Sequence, residues 1–191
     1  MPEPATKKGA ATRRRILDAA TAEFAEHGIA GARVERITAA AQTNKAQLYG
    51  YFGSKDGLFD AVVADRVTST TEALPFDVDD IPAWAVRVYD ENLRRPELTR
   101  LIAWVRLERR PRGTWFDGSD YEPKLTAITA AQADGRIRRG DPATLLMLVI
   151  SMASTWSAAS EVYTATPDEP DAVHETRRAL LRESVARLLA P

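Results

Sequence analysis

Apolar residues recur along this chain at helical spacing, and no convincing run alternates apolar and polar as a strand would. Leu17, Ala20 and Phe24 stand at i, i+3 and i+7 and predict a first helix over residues 12–27. Thr12 is its expected N-cap, and Gly28 closes it. Val34, Ile37 and Ala41 share one face of a short second helix, 34–41. Gln42-Thr43-Asn44 reads as a turn. Asn44 then caps a third short helix, 45–52, where Leu48 and Phe52 lie one turn apart. Gly53-Ser54 interrupts the pattern, and Ser54 caps a longer fourth helix ending near Leu74-Pro75. Its stripes are Leu58/Val62 and Phe59/Val63/Val67.

Five more helices follow. One starts near Asp80, with Pro82 in its first turn, and runs to Leu93; another starts at Pro96 and carries Leu98, Leu101, Ile102 and Val105. A Pro/Gly-rich loop over 111–123 precedes a helix ending near Gly135. Asp141-Pro142 opens a helix expected to reach about Tyr163. The last helix bears Val173, Leu180, Leu181, Val185, Leu188 and Leu189. The expected fold class is all-α, with about nine helices and no internal repeat.

Composition narrows the chemistry. The chain has 191 residues, 28% charged and 45% apolar, which suits an ordinary globular protein. Cysteine is absent, so disulfides, thiolate metal sites and cysteine nucleophiles are excluded. The two histidines, His27 and His174, have no partner at ligand spacing, and neither a metal nor a cofactor is expected. The apolar run at 145–150 falls far short of the roughly 20 residues that a membrane span needs. Residues 1–10 lack the apolar core of a signal peptide, so a cytoplasmic location is expected.

Net charge is only −1, but it is unevenly spread. Residues 1–57 hold 9 Lys/Arg against 6 Asp/Glu, and the remainder is acidic. A basic end on an acidic body suits a polyanionic partner. Arg13, Arg14 and Arg15 are candidates to follow a phosphate backbone, and residues 1–10 are expected to form a flexible basic arm.

Residues 34–55 carry the most information. Two short helices joined by a tight turn, after a longer helix, form a helix-turn-helix pattern. Ala39, Ala40, Ala41 and Ala46 are small enough to let the pair cross closely. Lys45, Gln47, Tyr49 and Tyr51 can face a major groove; Lys45 suits guanine acceptors and Gln47 suits adenine. Arg33, Arg36 and Lys55 are placed to meet phosphates, and Asn44 is counted with the DNA-facing positions. Tyr49 is expected mainly to pack beneath the recognition helix.

Residues 28–59 resemble the DNA-binding domain of TetR-family transcriptional regulators. The resemblance rests on the Phe24–Gly28 helix end, Ile37, the Leu48-Tyr49-x-Tyr51-Phe52 stretch and Ser54-Lys55-Asp56-x-Leu58-Phe59. It implies a three-helix DNA-binding domain over 11–70, including the start of a connecting fourth helix, and a larger ligand-binding and dimerisation domain over 71–191. It also marks Tyr51 and Lys55 as phosphate contacts. Some positions depart from the family pattern. Gln42-Thr43 stands where the turn usually has glycine and an aliphatic residue, so Thr43 needs a backbone partner for its hydroxyl. Ala32-Arg33 stands where a threonine usually opens the second helix, and Thr38 where alanine is common.

All four tryptophans (Trp84, Trp104, Trp115, Trp156) lie beyond residue 80, in the region expected to hold a ligand cavity. Tyr89, Trp104, Met147 and Trp156 are its candidate walls, with Arg87, Arg106 or Glu108 to orient a polar end. The helix expected over 145–163 is apolar nearly all round and carries small residues, so it should be buried on more than one side. In the family this helix and the last one dimerise. The resemblance implies a ligand-responsive regulator, most simply a repressor, that binds palindromic operator DNA as a homodimer and is released by an unidentified small molecule. No catalytic residues are expected, because the chain lacks a G-x-S-x-G, a P-loop and a G-x-G-x-x-G. The alternative is an architectural protein that kept the fold but lost sequence readout.

Overall fold

The computed structural model describes residues 7–109 and 121–191. Trp115, the first six residues of the expected arm and most of the expected Pro/Gly-rich loop lie outside them. The described residues contain nine α-helices and no strand. These are α1 (Lys7–Gly31), α2 (Val34–Ala40), α3 (Lys45–Phe52), α4 (Lys55–Ala73), α5 (Ile81–Arg94), α6 (Glu97–Glu108), α7 (Glu122–Ala133), α8 (Pro142–Ala153) and α9 (Asp171–Leu189). A 3₁₀ turn, Val78–Asp80, leads into α5.

Several ends follow from single residues. Asn44 caps α3 by accepting from the Gln47 N–H at 2.9 Å, and the Ser54 hydroxyl accepts from the Gly57 N–H at 2.9 Å to open α4. Asp80 and Asp141 do the same for α5 and α8. Other ends depart from expectation. α1 begins at Lys7, so Lys7–Ala10 are helical rather than a loose arm, and Thr12 is interior, its hydroxyl donating to Lys8 O at 3.1 Å. α8 stops at Ala153, ten residues early. Beyond it the backbone turns through bonds such as Ser157 N–H to Ser154 O and Ser160 N–H to Ser157 O. The Ser160 hydroxyl then accepts from the Val162 and Tyr163 N–H groups, a local competition in which serine outbids the helix ladder.

The chain divides into two compact units. The first runs to Thr70 and also takes Glu97 onward through α6; the second holds Thr71–Pro96 and Pro111–Pro191. The expected division gave everything after residue 70 to the second domain. α6 instead packs on α1, because its Leu101 and Val105 are fully buried there. The first core is built by Ile16, Leu17, Phe24, Ile37, Leu48, Leu58, Phe59 and Val62, with Phe24 and Phe59 edge to face at 5.1 Å. The second core joins α5, α7, α8 and α9 through Trp84, Ala85, Tyr89, Ile128, Leu146, Val149, Leu181 and Val185.

Candidate nucleic-acid interface

α2 and α3 present the site, and the rest of the first unit fixes their angle. The first device is Glu23 on α1, whose side chain is almost buried. Its carboxylate accepts from the Arg33 N–H at 2.8 Å, satisfying the start of α2, and from the Nε and one Nη of the Arg36 guanidinium. Burial alone would push the Glu23 carboxyl up, but Arg36 and the Arg33 N–H outweigh it and hold it below its usual range. Glu23 thus supplies the capping acceptor that Ala32-Arg33 lack. At the other end of α2, the Arg15 Nε donates to Ala41 O at 3.0 Å.

The turn carries strain. Gln42 takes φ 49°, the left-handed region that glycine occupies freely. Thr43 donates its hydroxyl to Gln47 Oε1, a side-chain acceptor rather than the expected backbone one. Thr38 is buried and donates to Glu35 O at 3.1 Å, which explains how a hydroxyl is tolerated there.

On α3, Leu48 and Phe52 point into the core, leaving Lys45, Ala46, Gln47, Tyr49 and Gly50 exposed. Tyr49 is 42% exposed, not packed beneath the helix as expected. Tyr51 lies half-buried, tilted on Phe52 at 6.1 Å. The Lys45 ammonium pairs with Glu35 at 2.5 Å; that hydrogen bond raises the lysine's pKa and lowers the carboxylate's. Arg33 keeps an exposed side chain with no ion-pair partner among the described residues, while Arg36 is committed to Glu23 and Gly31 O. Lys55 spends two of its three donors on Ala30 O and Ala32 O, at 3.4 and 3.2 Å. Arg13 to Arg15 do not form a loose tract: Arg13 sits over the Phe52 ring, Arg14 pairs with Asp18 and Asp65, and Arg15 holds Ala41.

The second device is a clasp between α1 and α6. Gly28 breaks α1 at φ 69°, ψ −175°, and the freed Ile29 and Ala30 N–H groups donate to the Glu108 carboxylate at 2.9 Å each. Arg100 and the Trp104 indole both donate to Ala25 O, at 2.9 and 3.2 Å, and Arg100 also meets Glu26. Arg109 bridges to Asp56 and Asp60 on α4.

Residues 16–62 match the model for bacterial regulatory proteins of the tetR family, and residues 80–187 match the Tetracyclin repressor-like C-terminal domain. The chain belongs to the TetR family. Among its relatives is the HTH-type transcriptional repressor SCO4008 of Streptomyces coelicolor, 39% identical over 148 residues, 75% of this chain and 77% of that one. The HTH-type transcriptional repressor NicS of Pseudomonas putida is 35% identical over 106 residues, about half of each chain. A solved structure of the transcriptional regulator SCO4942 of Streptomyces coelicolor superposes with TM-score 0.77 at 35% identity, covering 93% of this chain and 98% of that one. AibR, solved with isovaleryl coenzyme A and operator DNA, shares the fold at TM-score 0.64 and 18% identity, covering 94% and 99%.

Two of this TetR-family chain's four expected ligand walls come together. Tyr89 and Trp156 stand edge to face at 5.8 Å in the second unit, and the Tyr89 hydroxyl meets Nδ1 of buried His174 at 2.7 Å. Trp104 serves the clasp in the first unit, and Met147 is 49% exposed. Glu108 caps the α1 break rather than orienting a ligand, and Arg106 is exposed. Sequence reasoning missed Glu23 and Arg100, and it gave Glu108 a different role. The one available signal was the break at Gly28, which leaves N–H groups in need of an acceptor. No helix among the described residues is long and apolar enough to cross a membrane, and no cluster of metal-ligating side chains occurs among them.

Proposed function

We propose that this TetR-family chain is a dimeric repressor that reads a palindromic operator with α3 and releases it when a small molecule occupies the second unit. The observation that carries the reading is the exposed face of α3, where Gln47 and Tyr49 stand free of the core and Lys45 is held only by an exposed ion pair. Lys45 and Gln47 are the proposed base readers, supported by Tyr49; Arg33, Tyr51 and the third donor of Lys55 meet phosphates. Asn44 and Arg36 act through α3 and α2, which they fix in place.

Dimerisation through α8 and α9 is supported by the apolar surface they leave uncovered. Met147 and Leu148 are 49% and 45% exposed and Leu180 is 54% exposed, on two helices that pack together. Two copies would set their recognition helices about one DNA turn apart, or a multiple of it. The relatives SCO4008 and NicS are both repressors, which favours repression over activation. AibR gives a precedent for effector and operator in one complex on this fold.

The test is selection of bound fragments from a genomic library at near-physiological salt, with a Leu148→Glu/Leu180→Glu variant alongside. Enrichment of one palindrome by the parent, and its loss in a variant that sediments as a monomer, is the expected result. Uniform retention of all fragments would move the architectural reading to first place.

A further inference from the structure

Arg87 differs from every other arginine around it. It lies on α5 and lines a cleft of about 530 Å³ together with Leu74, Asp90, Leu93, Pro167 and Arg178, all within the second unit. That volume falls in the range of small-molecule sites, about 300–1,000 Å³. Arg178 is compensated by Asp90 at 2.8 Å and Glu175 at 2.7 Å, and Arg94, on the rim, by Glu91. Among the described residues Arg87 has no carboxylate partner. One Nη donates to Pro75 O at 3.2 Å, while its Nε is buried without an acceptor from the protein. A buried guanidinium donor left unpaired is costly, and buried donors in native proteins nearly always have a partner.

We infer that this cleft binds a small amphipathic monocarboxylate, with the carboxylate on Arg87 and the apolar tail against Leu74, Leu93 and Pro167. A carboxylate can accept from the Arg87 Nη that Pro75 O leaves free, and charge-assisted hydrogen bonds of this kind are the strong ones. Asp90 sets the charge limit. It faces the same cleft and is already balanced by Arg178, so a second negative charge on the ligand meets repulsion, with no free cation beside it among the described residues. The inference rests on the ligand-responsive reading above only for the consequence of binding, not for binding itself.

The experiment uses the full chain and three matched probes: octanoate, its neutral isostere octanamide, and acetate, which has the head without the tail. Calorimetric titration should show octanoate binding about 10- to 100-fold tighter than octanamide, the ratio expected for one charge-assisted pair, with acetate weakest. Arg87→Gln should abolish the preference for octanoate over octanamide. Leu93→Ser leaves Arg87 in place, so it should weaken both eight-carbon probes while keeping their ratio, and it tests the tail independently should Arg87→Gln fail to fold. Equal affinities for octanoate and octanamide in the parent, or no octanoate binding up to its solubility limit, would overturn the assignment. Octanoate added to the chain on its selected DNA fragment is read separately. Binding with that complex unchanged would uphold the cleft and break its link to release.

Discussion

Replacing Gly28 with alanine perturbs one backbone position and one clasp at once. At φ 69°, ψ −175° the residue occupies a region that is essentially glycine's alone, which costs a side-chain-bearing residue about 1–3 kcal/mol. A Cβ there would stand 2.4 Å from Glu108 Oε1 and 2.8 Å from the Trp104 ring. Glu108 must therefore retreat, and the Ile29 N–H, beneath a buried residue, loses its acceptor at a further cost of about 1–3 kcal/mol. The Ala30 N–H is exposed and can turn to water, so it adds little. The expected loss is about 4 kcal/mol. Gly135 is the control: its φ is 72°, but a Cβ would meet nothing within 4 Å, so its alanine variant should lose about 1 kcal/mol. Urea unfolding at one fixed protein concentration compares the two through their midpoints. If the variants fall within about 1 kcal/mol of each other, the close-approach argument is wrong. Truncating Glu108 first should shrink the Gly28→Ala penalty, since the two share one contact.

Three further outcomes follow from the same unit. Gln42→Gly removes a left-handed strain of about 1–2 kcal/mol and adds unfolded-chain freedom of about 0.4–1 kcal/mol, so it should stabilise by about 0.5 kcal/mol in the same unfolding assay; a loss of stability would contradict the turn geometry. Glu23 titrates lower folded than its ordinary 4.5, so its contribution is fully present above about pH 4.5 and fades as pH falls through the lowered folded value; Glu23→Gln should flatten that acid limb of the stability curve. Lys55→Ala should weaken binding to every DNA sequence and lower the slope of log affinity against log salt by about one unit, alongside a stability loss from the Ala30 and Ala32 carbonyls; an unchanged slope would leave Lys55 with its carbonyl contacts only.

Residues that act on their immediate neighbours were the legible ones. α3 runs over the residues expected of it, because Asn44 can satisfy an N–H three residues on and Gly53 can take φ 74° just past the end. The end of α8 was hidden, since apolar residues continue through Trp156, Val162 and Tyr163 and periodicity cannot show serine hydroxyls capturing the backbone instead. Trp104 shows the second limit. An aromatic at helical spacing announces burial but not the partner, and this one found the carbonyl of Ala25 far away in sequence. The basic cluster at Arg13 to Arg15 misled for the same reason: its acceptors, Asp65 and Ala41 O, are distant along the chain.

The clasp on Gly28 has a consequence for inheritance. The chain passes from the first unit to the second after Thr70, returns for α6, and leaves again, so the gene segment encoding the three helices that carry the interface does not encode the unit they fold in. A hybrid regulator made by a single crossover at residue 70 would pair this head with a foreign α6, and the Ile29 and Ala30 N–H groups would meet whatever side chain that graft supplied in place of Glu108. Specificity in such a lineage moves intact only when two separate stretches travel together. Swaps that carry residues 97–109 with the head should yield working chimaeras more often than swaps that leave them behind.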